Sequence, residues 1–276
     1  MEHLGISPDA PQALESLTMQ QVLDAERAVM ADFLMGAAAP GFPSGFWPVI
    51  DGDFVPAHVH DPVTAPANAD VPVMLGQTGT EFTLFMLQDQ GAYTLDDAGL
   101  EARVTRMLSE DAPWVLDSYR RDFPDYVPSA LYFRIYSDFA MGALSNSILD
   151  VRATTGAAPV YAYRFDWMTP IEGGRLFSPH TIEIPFAFDN ATTEAGIIMT
   201  EGGDAVATLA KTVSEAWVQF AKTGTPAAPG LPEWPAYDPQ ARQAMHLNTQ
   251  SHVAPYIDPR AFDLFKAKLW ASAGLE

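Results

Sequence analysis

Three short stretches of this 276-residue sequence carry side chains able to do chemistry. In the first, the apolar run Val71-Pro72-Val73-Met74-Leu75 closes on Gly76, and Gln77-Thr78-Gly79-Thr80-Glu81 follows. Such a run suits a strand buried on both faces of a parallel sheet. Glu81 then stands just beyond the carboxyl end of that strand, where the loops of an open α/β sheet face a common crevice. A carboxylate there can equally do no more than stabilise the amino end of a helix starting at Phe82. In the second stretch, Leu176 to Phe186, His180 sits in a loop with Glu183 three residues on. A loop imidazole can reach a cleft and titrate near neutrality, as a general base must. The same spacing also serves a surface pair between His180 and Glu183. The third stretch is His58-Val59-His60-Asp61. Two histidines two apart on a strand point to one face and could share a metal ion. A binuclear hydrolase needs further ligands after later strands, and His180, His246 and His252 fall in no matching pattern, so loop histidines between Pro56 and Pro62 are the favoured reading.

The elements that must position these residues follow from periodicity. Residues 12–34 carry apolar positions at helical spacing, and the Pro/Gly-rich stretch from Ala37 to Pro48 ends any helix. Residues 98–110, 129–153, 204–222 and 259–273 read as helices. Strands are expected at Val71–Gly76, Ala158–Trp167 and Ala244–Leu247. Strands alternating with long helices predict an α/β layer fold with a largely parallel sheet. A sheet of so few strands is thin for the length, which hints at strands missing from the sequence. No internal repeat divides the chain, and residues 1–276 are expected to form a single domain.

Composition narrows the partners. The chain is 48% hydrophobic, enough for a substantial core. Acidic residues outnumber basic ones 35 to 15, for a formal charge of −20, and the Lys and Arg residues are scattered, which argues against nucleic acid and anionic membrane. With no cysteine, there is no disulfide framework, thiolate zinc site or cysteine nucleophile. The amino-terminal residues lack a basic region followed by an apolar one, and no apolar run approaches a membrane span. A leader on a missing segment would escape this reading, so localisation stays open.

Taken in order, several segments resemble type-B carboxylesterases, the group of cholinesterases and bacterial para-nitrobenzyl esterases. Pro48-Val49-Ile50-Asp51-Gly52 with Phe54-Val55-Pro56 is similar to the family's proline-valine-x-aspartate-glycine turn. Val71 to Glu81 resembles the strand and loop that deliver the triad acid, and His180-Thr181-Ile182-Glu183-Ile184-Pro185-Phe186-Ala187-Phe188 resembles the segment that supplies the triad histidine. Ala216-Trp217 to Thr225-Pro226 and Glu233-Trp234-Pro235-Ala236-Tyr237 reproduce a characteristic helix, its exit and the segment after it. The chain departs from the family at Thr80-Glu81-Phe82, where most members have Asp-Glu-Gly, and at Thr181, where many have glycine. The resemblance implies the C-terminal portion of an α/β-hydrolase fold, with Glu81 and His180 as triad acid and base, Glu183 in support, and a small-molecule ester as substrate. Triad chemistry implies no cofactor.

On this fold the serine precedes the acid, on a Gly-x-Ser-x-Gly elbow. Ser7 has Gly5 two before it but Pro8 and Asp9 after it, and Ser44 in Phe42-Pro43-Ser44-Gly45-Phe46 fails as well. The family's glycine-rich oxyanion loop is also missing. The resemblance therefore implies that the amino-terminal strands and nucleophile elbow are absent, and that the isolated chain is a weak esterase or none. An exposed sheet edge would invite self-association or pairing with an N-terminal esterase half. A non-catalytic binding or structural remnant of the fold is the alternative. Trp47, Phe85, Phe133, Tyr136 and Phe139 are candidates to line an acyl or alcohol pocket, or else to pack the core.

Overall fold

Thr18 starts the first helix. Its hydroxyl accepts from the Gln21 backbone N–H at 3.3 Å while Gln21 Oε1 accepts from the Thr18 N–H at 2.9 Å, a capping box that satisfies two orphan donors. Helix α1 therefore runs Met19–Leu34, and the residues before it form a separate 3₁₀ turn, Pro11–Ser16, that ends at an extended Leu17. The single helix expected over 12–34 is broken here because the cap begins a new one. The computed structural model describes residues 2–7, 9–34, 48–57 and 69–272. The chain divides into two units, residues 1–58 with 270–276, and residues 59–269. In the first unit Asp51 closes a tight turn, its Oδ1 accepting from Asp53 N and Val55 N at 3.0 and 2.9 Å, with Gly52 at a φ of 79° that suits glycine.

The second unit is built on a sheet of β1 (Val73–Thr78), β2 (Val160–Phe165), β3 (Gln243–Leu247) and β4 (His252–Pro255), in that order. The first three are parallel and β4 is antiparallel. Parallel neighbours require long crossovers, which the intervening helices provide. The sequence reading missed β4, a four-residue edge strand ending in proline; Pro lacks a ladder donor and is tolerated at an edge. Gly76 is paired with Tyr163, and a Cβ on it would lie 2.3 Å from the Tyr163 carbonyl oxygen, so glycine permits β1 to approach β2 just before the loop to Glu81.

Alternation along the strands sends side chains to two cores. Val160, Ala162 and Ala244 pack under α3 (Asp97–Leu108), α4 (Ala112–Asp122), α5 (Pro128–Ser137), α6 (Ala143–Thr155) and α10 (Pro259–Ser272). Tyr161, Phe165, Met245 and Leu247 face α9 (Asp204–Thr223), which buries Val206, Leu209, Ala210, Val213 and Ala216 at helical spacing. Gly224, left-handed at φ 76°, ends α9 with its N–H on the Phe220 carbonyl at 2.7 Å. The short helices α2 (Phe82–Phe85), α7 (Ile184–Ala187) and α8 (Ile197–Thr200) lie in the loops. Helix α4 was not anticipated, although Ala112, Val115, Leu116 and Tyr119 recur at helical spacing on its buried face. The helix expected over 129–153 is α5 and α6 joined by a π turn at Asp138–Gly142, a widening common at functional sites. No helix among the described residues is long and apolar enough to cross a membrane.

Candidate active site

Strand β1 ends at Thr78, and two residues later the chain turns into α2 with Glu81 at its head. Glu81 does not cap that helix. Its Oε1 accepts from the Thr78 N–H at 2.7 Å, and its Oε2 lies 2.5 Å from Nδ1 of His180. The carboxylate is 4% exposed whereas the imidazole is 40% exposed. A carboxylate accepts, so Nδ1 is the donor, and in the neutral imidazole Nε2 then holds the lone pair. This is the arrangement by which a buried acid orients an imidazole so that its open nitrogen can take up a proton. The geometry brings together two residues 99 apart in sequence.

Thr181, directly after His180, has a φ of 71°, and Phe177, three residues before it, a φ of 53°. A β-branched residue in the left-handed region is strained by roughly 1–2 kcal/mol. Glycine relieves that strain but adds about 0.4–1 kcal/mol of unfolded-state entropy. Thr181→Gly is accordingly expected to raise stability by about 0.5–1 kcal/mol, read as a higher urea midpoint; a lower midpoint would show that the Thr181 side chain holds the loop.

Glu183 makes no ion pair with His180. Its Oε2 is buried without a hydrogen-bond partner. Burial raises the carboxyl above the usual range, backbone hydrogen bonding opposes this, and the nearby Glu81 carboxylate adds to the rise. A raised folded value means that the fold favours the protonated form. Stability is then greatest below the ordinary glutamate value of about 4.3 and falls as pH climbs from there through the raised folded value. Glu183→Gln, neutral throughout, is expected to flatten this fall and to gain about 1 kcal/mol at neutral pH with none in mild acid. Urea titrations at both pH values measure it; equal gains at both would remove charge as the cause.

The aromatic candidates separate. Phe85 is 58% exposed with its ring 5.0 Å from that of His180. Phe133 is fully buried in the core against Tyr93, Tyr132 and Phe177, and the partly buried Phe139 packs on Phe265 against the same core. Tyr136 stacks edge-on against Phe82. Trp47, His58 and His60 lie outside the described residues. Among the described residues no group of three His, Asp or Glu side chains could hold a metal ion.

A second acidic and basic cluster escaped the sequence reading. Asp166, just after β2, accepts from Arg134 Nη1 at 2.5 Å and meets His246 Nδ1 at 2.6 Å. His246 Nε2 lies 3.1 Å from the Pro255 carbonyl oxygen, so both ring nitrogens are engaged and neither is open for proton transfer. Burial pushes the Asp166 carboxyl up, but Arg134 and His246 outweigh it and hold it well below the usual range. Arg134, Asp166 and His246 line one wall of a cavity of about 910 Å³ with Tyr126, Trp167 and Tyr256; neither Glu81 nor His180 reaches it. The available signal was Arg164, a charge next to the end of a buried strand two residues before Asp166.

Comparison with known proteins decides the ancestry. A profile of the carboxylesterase family matches residues 7–264. The chain belongs to that family. The para-nitrobenzyl esterase of Bacillus subtilis is 28% identical over 277 aligned positions, 99% of this chain and 52% of its own length. The phenmedipham hydrolase of Pseudarthrobacter oxydans is 28% identical over 198 residues, 71% of this chain and 39% of its own length. The crystal structure of a Geobacillus stearothermophilus carboxylesterase matches with a TM-score of 0.68 at 26% identity, over 96% of this chain and 52% of that one. This carboxylesterase-family chain thus has the α/β-hydrolase fold and spans about half the length, or less, of these relatives.

Proposed function

We propose that the chain supplies the acid and the base of a Ser-Glu-His triad that hydrolyses small-molecule carboxylic esters, with the serine and the oxyanion donors coming from a segment outside this sequence. The observation that carries the reading is the Glu81 Oε2 to His180 Nδ1 contact of 2.5 Å at the carboxyl end of β1. In this scheme the serine oxygen attacks the ester carbonyl carbon as Nε2 of His180 takes the hydroxyl proton. Collapse of the tetrahedral intermediate releases the alcohol, which receives that proton, and leaves an acyl-serine. Water then attacks with the same base and the acid departs. Glu81 stabilises the imidazolium formed in each half, and Glu183 is a supporting residue. The relatives named for para-nitrobenzyl ester and phenmedipham hydrolysis support a small-molecule substrate. Among the described residues, β1 has a paired strand on one side only, and this open edge suits pairing with an N-terminal half.

The test is p-nitrophenyl acetate hydrolysis by the chain alone, by the chain mixed with a carboxylesterase N-terminal half, and by the mixture carrying His180→Ala. The expected result is turnover only in the mixture and only with His180 present. Turnover by the chain alone would place the nucleophile within it. A folded mixture without turnover would favour the non-catalytic reading, for which the lack of a Gly-x-Ser-x-Gly sequence speaks.

A further inference from the structure

Glu81 and His180 come from loops 99 residues apart, and one hydrogen bond does not fix two loops in register. The residues beside them do. Thr80, immediately before Glu81, donates its backbone N–H to the Ser178 carbonyl at 2.8 Å, and its Oγ1 accepts from the Ser178 N–H at 2.9 Å. Ser178, two residues before His180, donates its own hydroxyl to the carbonyl of Phe165, the last residue of β2, at 2.6 Å, and accepts from the Gly79 N–H at 3.2 Å. Thr80 and Ser178 are 0% and 1% exposed. Gly79 permits the approach, since a Cβ there would lie 3.2 Å from Ser178 Cβ and 3.0 Å from Asp166 Oδ1.

We infer that Thr80 and Ser178 are positioning residues, a reciprocal hydroxyl clamp that ties the acid loop to the base loop and both to the end of β2. Each hydroxyl is committed to backbone groups of the opposite loop or strand, so neither is free to act on a substrate. Oγ1 of Thr80 is the acceptor for the Ser178 N–H, and Oγ of Ser178 ties its own loop to the Gly79 N–H and the Phe165 carbonyl, which also bond each other directly at 2.8 Å. A shift between the loops changes the Oε2 to Nδ1 separation directly, because only one residue separates each clamp residue from its partner in the pair or none at all. The inference rests on the acid and base reading above, and its test separates the two.

The measurement is proton NMR of the imidazole N–H resonances of the chain, assigned with His180→Gln and His246→Gln. A short bond to a carboxylate moves such a proton to low field and slows its exchange with water. The two buried-acceptor pairs, His180 with Glu81 and His246 with Asp166, give one such signal each. Thr80→Val and Ser178→Ala are expected to lose the His180 signal and retain that of His246, whereas Thr80→Ser, which keeps the hydroxyl, retains both. In the mixture that hydrolyses ester, the same two variants are expected to lower kcat roughly 10- to 100-fold at unchanged KM. Persistence of the His180 signal in Thr80→Val and Ser178→Ala overturns the clamp. Loss of both signals, or of the fold, in these variants also overturns it, since the hydroxyls would then serve general structure. If the parent chain shows no low-field proton sensitive to Glu81→Gln, the acid and base reading itself fails.

Discussion

Glu81→Gln, in the chain joined by a nucleophile-bearing half, is expected to lower kcat by about 10⁴-fold with little change in KM. The size of the loss follows from the Thr78 N–H, which donates to Oε1 at 2.7 Å. In the variant that donor selects the amide oxygen, which turns the amide NH₂ toward Nδ1 of His180. Nδ1 must then accept, the ring hydrogen moves to Nε2, and the nitrogen that should receive the serine proton carries one already. Burial and shape are nearly unchanged, so substrate binding is spared. His180→Ala removes the base outright and is expected to cost at least as much. Steady-state hydrolysis of p-nitrophenyl acetate measures both; a loss below about tenfold for Glu81→Gln, on the scale of 1.4 kcal/mol, would deny Glu81 its orienting role.

The parts of this site that sequence makes legible are those with a local signature. The run ending at Gly76 shows that a strand precedes Glu81, though Val73 to Gly76 are only partly buried at the sheet's open edge, and the helices at 204–223 and 97–108 announce themselves by apolar spacing and end signals. Which of the carboxylates near His180 is its partner is different in kind. Glu183 is three residues away and Glu81 is 99 away, and only the parallel pairing of β1 with β2 brings the distant one closer. The Thr80 and Ser178 hydroxyls gave no signal because serine and threonine in loops are ordinary turn residues. The π turn at Asp138–Gly142 was invisible for a similar reason: its residues carry ordinary helical spacing.

What Asp138 reaches is the basis of the second large effect. Its Oδ2 accepts from Tyr119 Oη at 2.8 Å and Arg134 Nε at 3.3 Å, and its Oδ1 from Arg164 Nη1 and, at 3.4 Å, Gln77 Nε2. Arg164 is 0% exposed, donates also to the Tyr256 carbonyl at 3.2 Å and lies 5.2 Å from the centre of the Tyr256 ring. Asp138→Ala removes the carboxylate that pairs with that buried guanidinium, which is expected to cost about 3–5 kcal/mol, a large share of the roughly 5–15 kcal/mol that holds a domain together. By contrast Lys211→Ala, which removes an exposed pair with Glu215 at 4.0 Å, is expected to cost under about 0.5 kcal/mol. Urea unfolding followed by circular dichroism compares them. The mechanism is separable from mere loss of packing: if the penalty is an unpaired charge, Asp138→Ala combined with Arg164→Met should recover much of it, because an apolar replacement of a buried ion pair is often neutral. If the double variant is instead less stable than Asp138→Ala, Arg164 acts through shape and not through its charge.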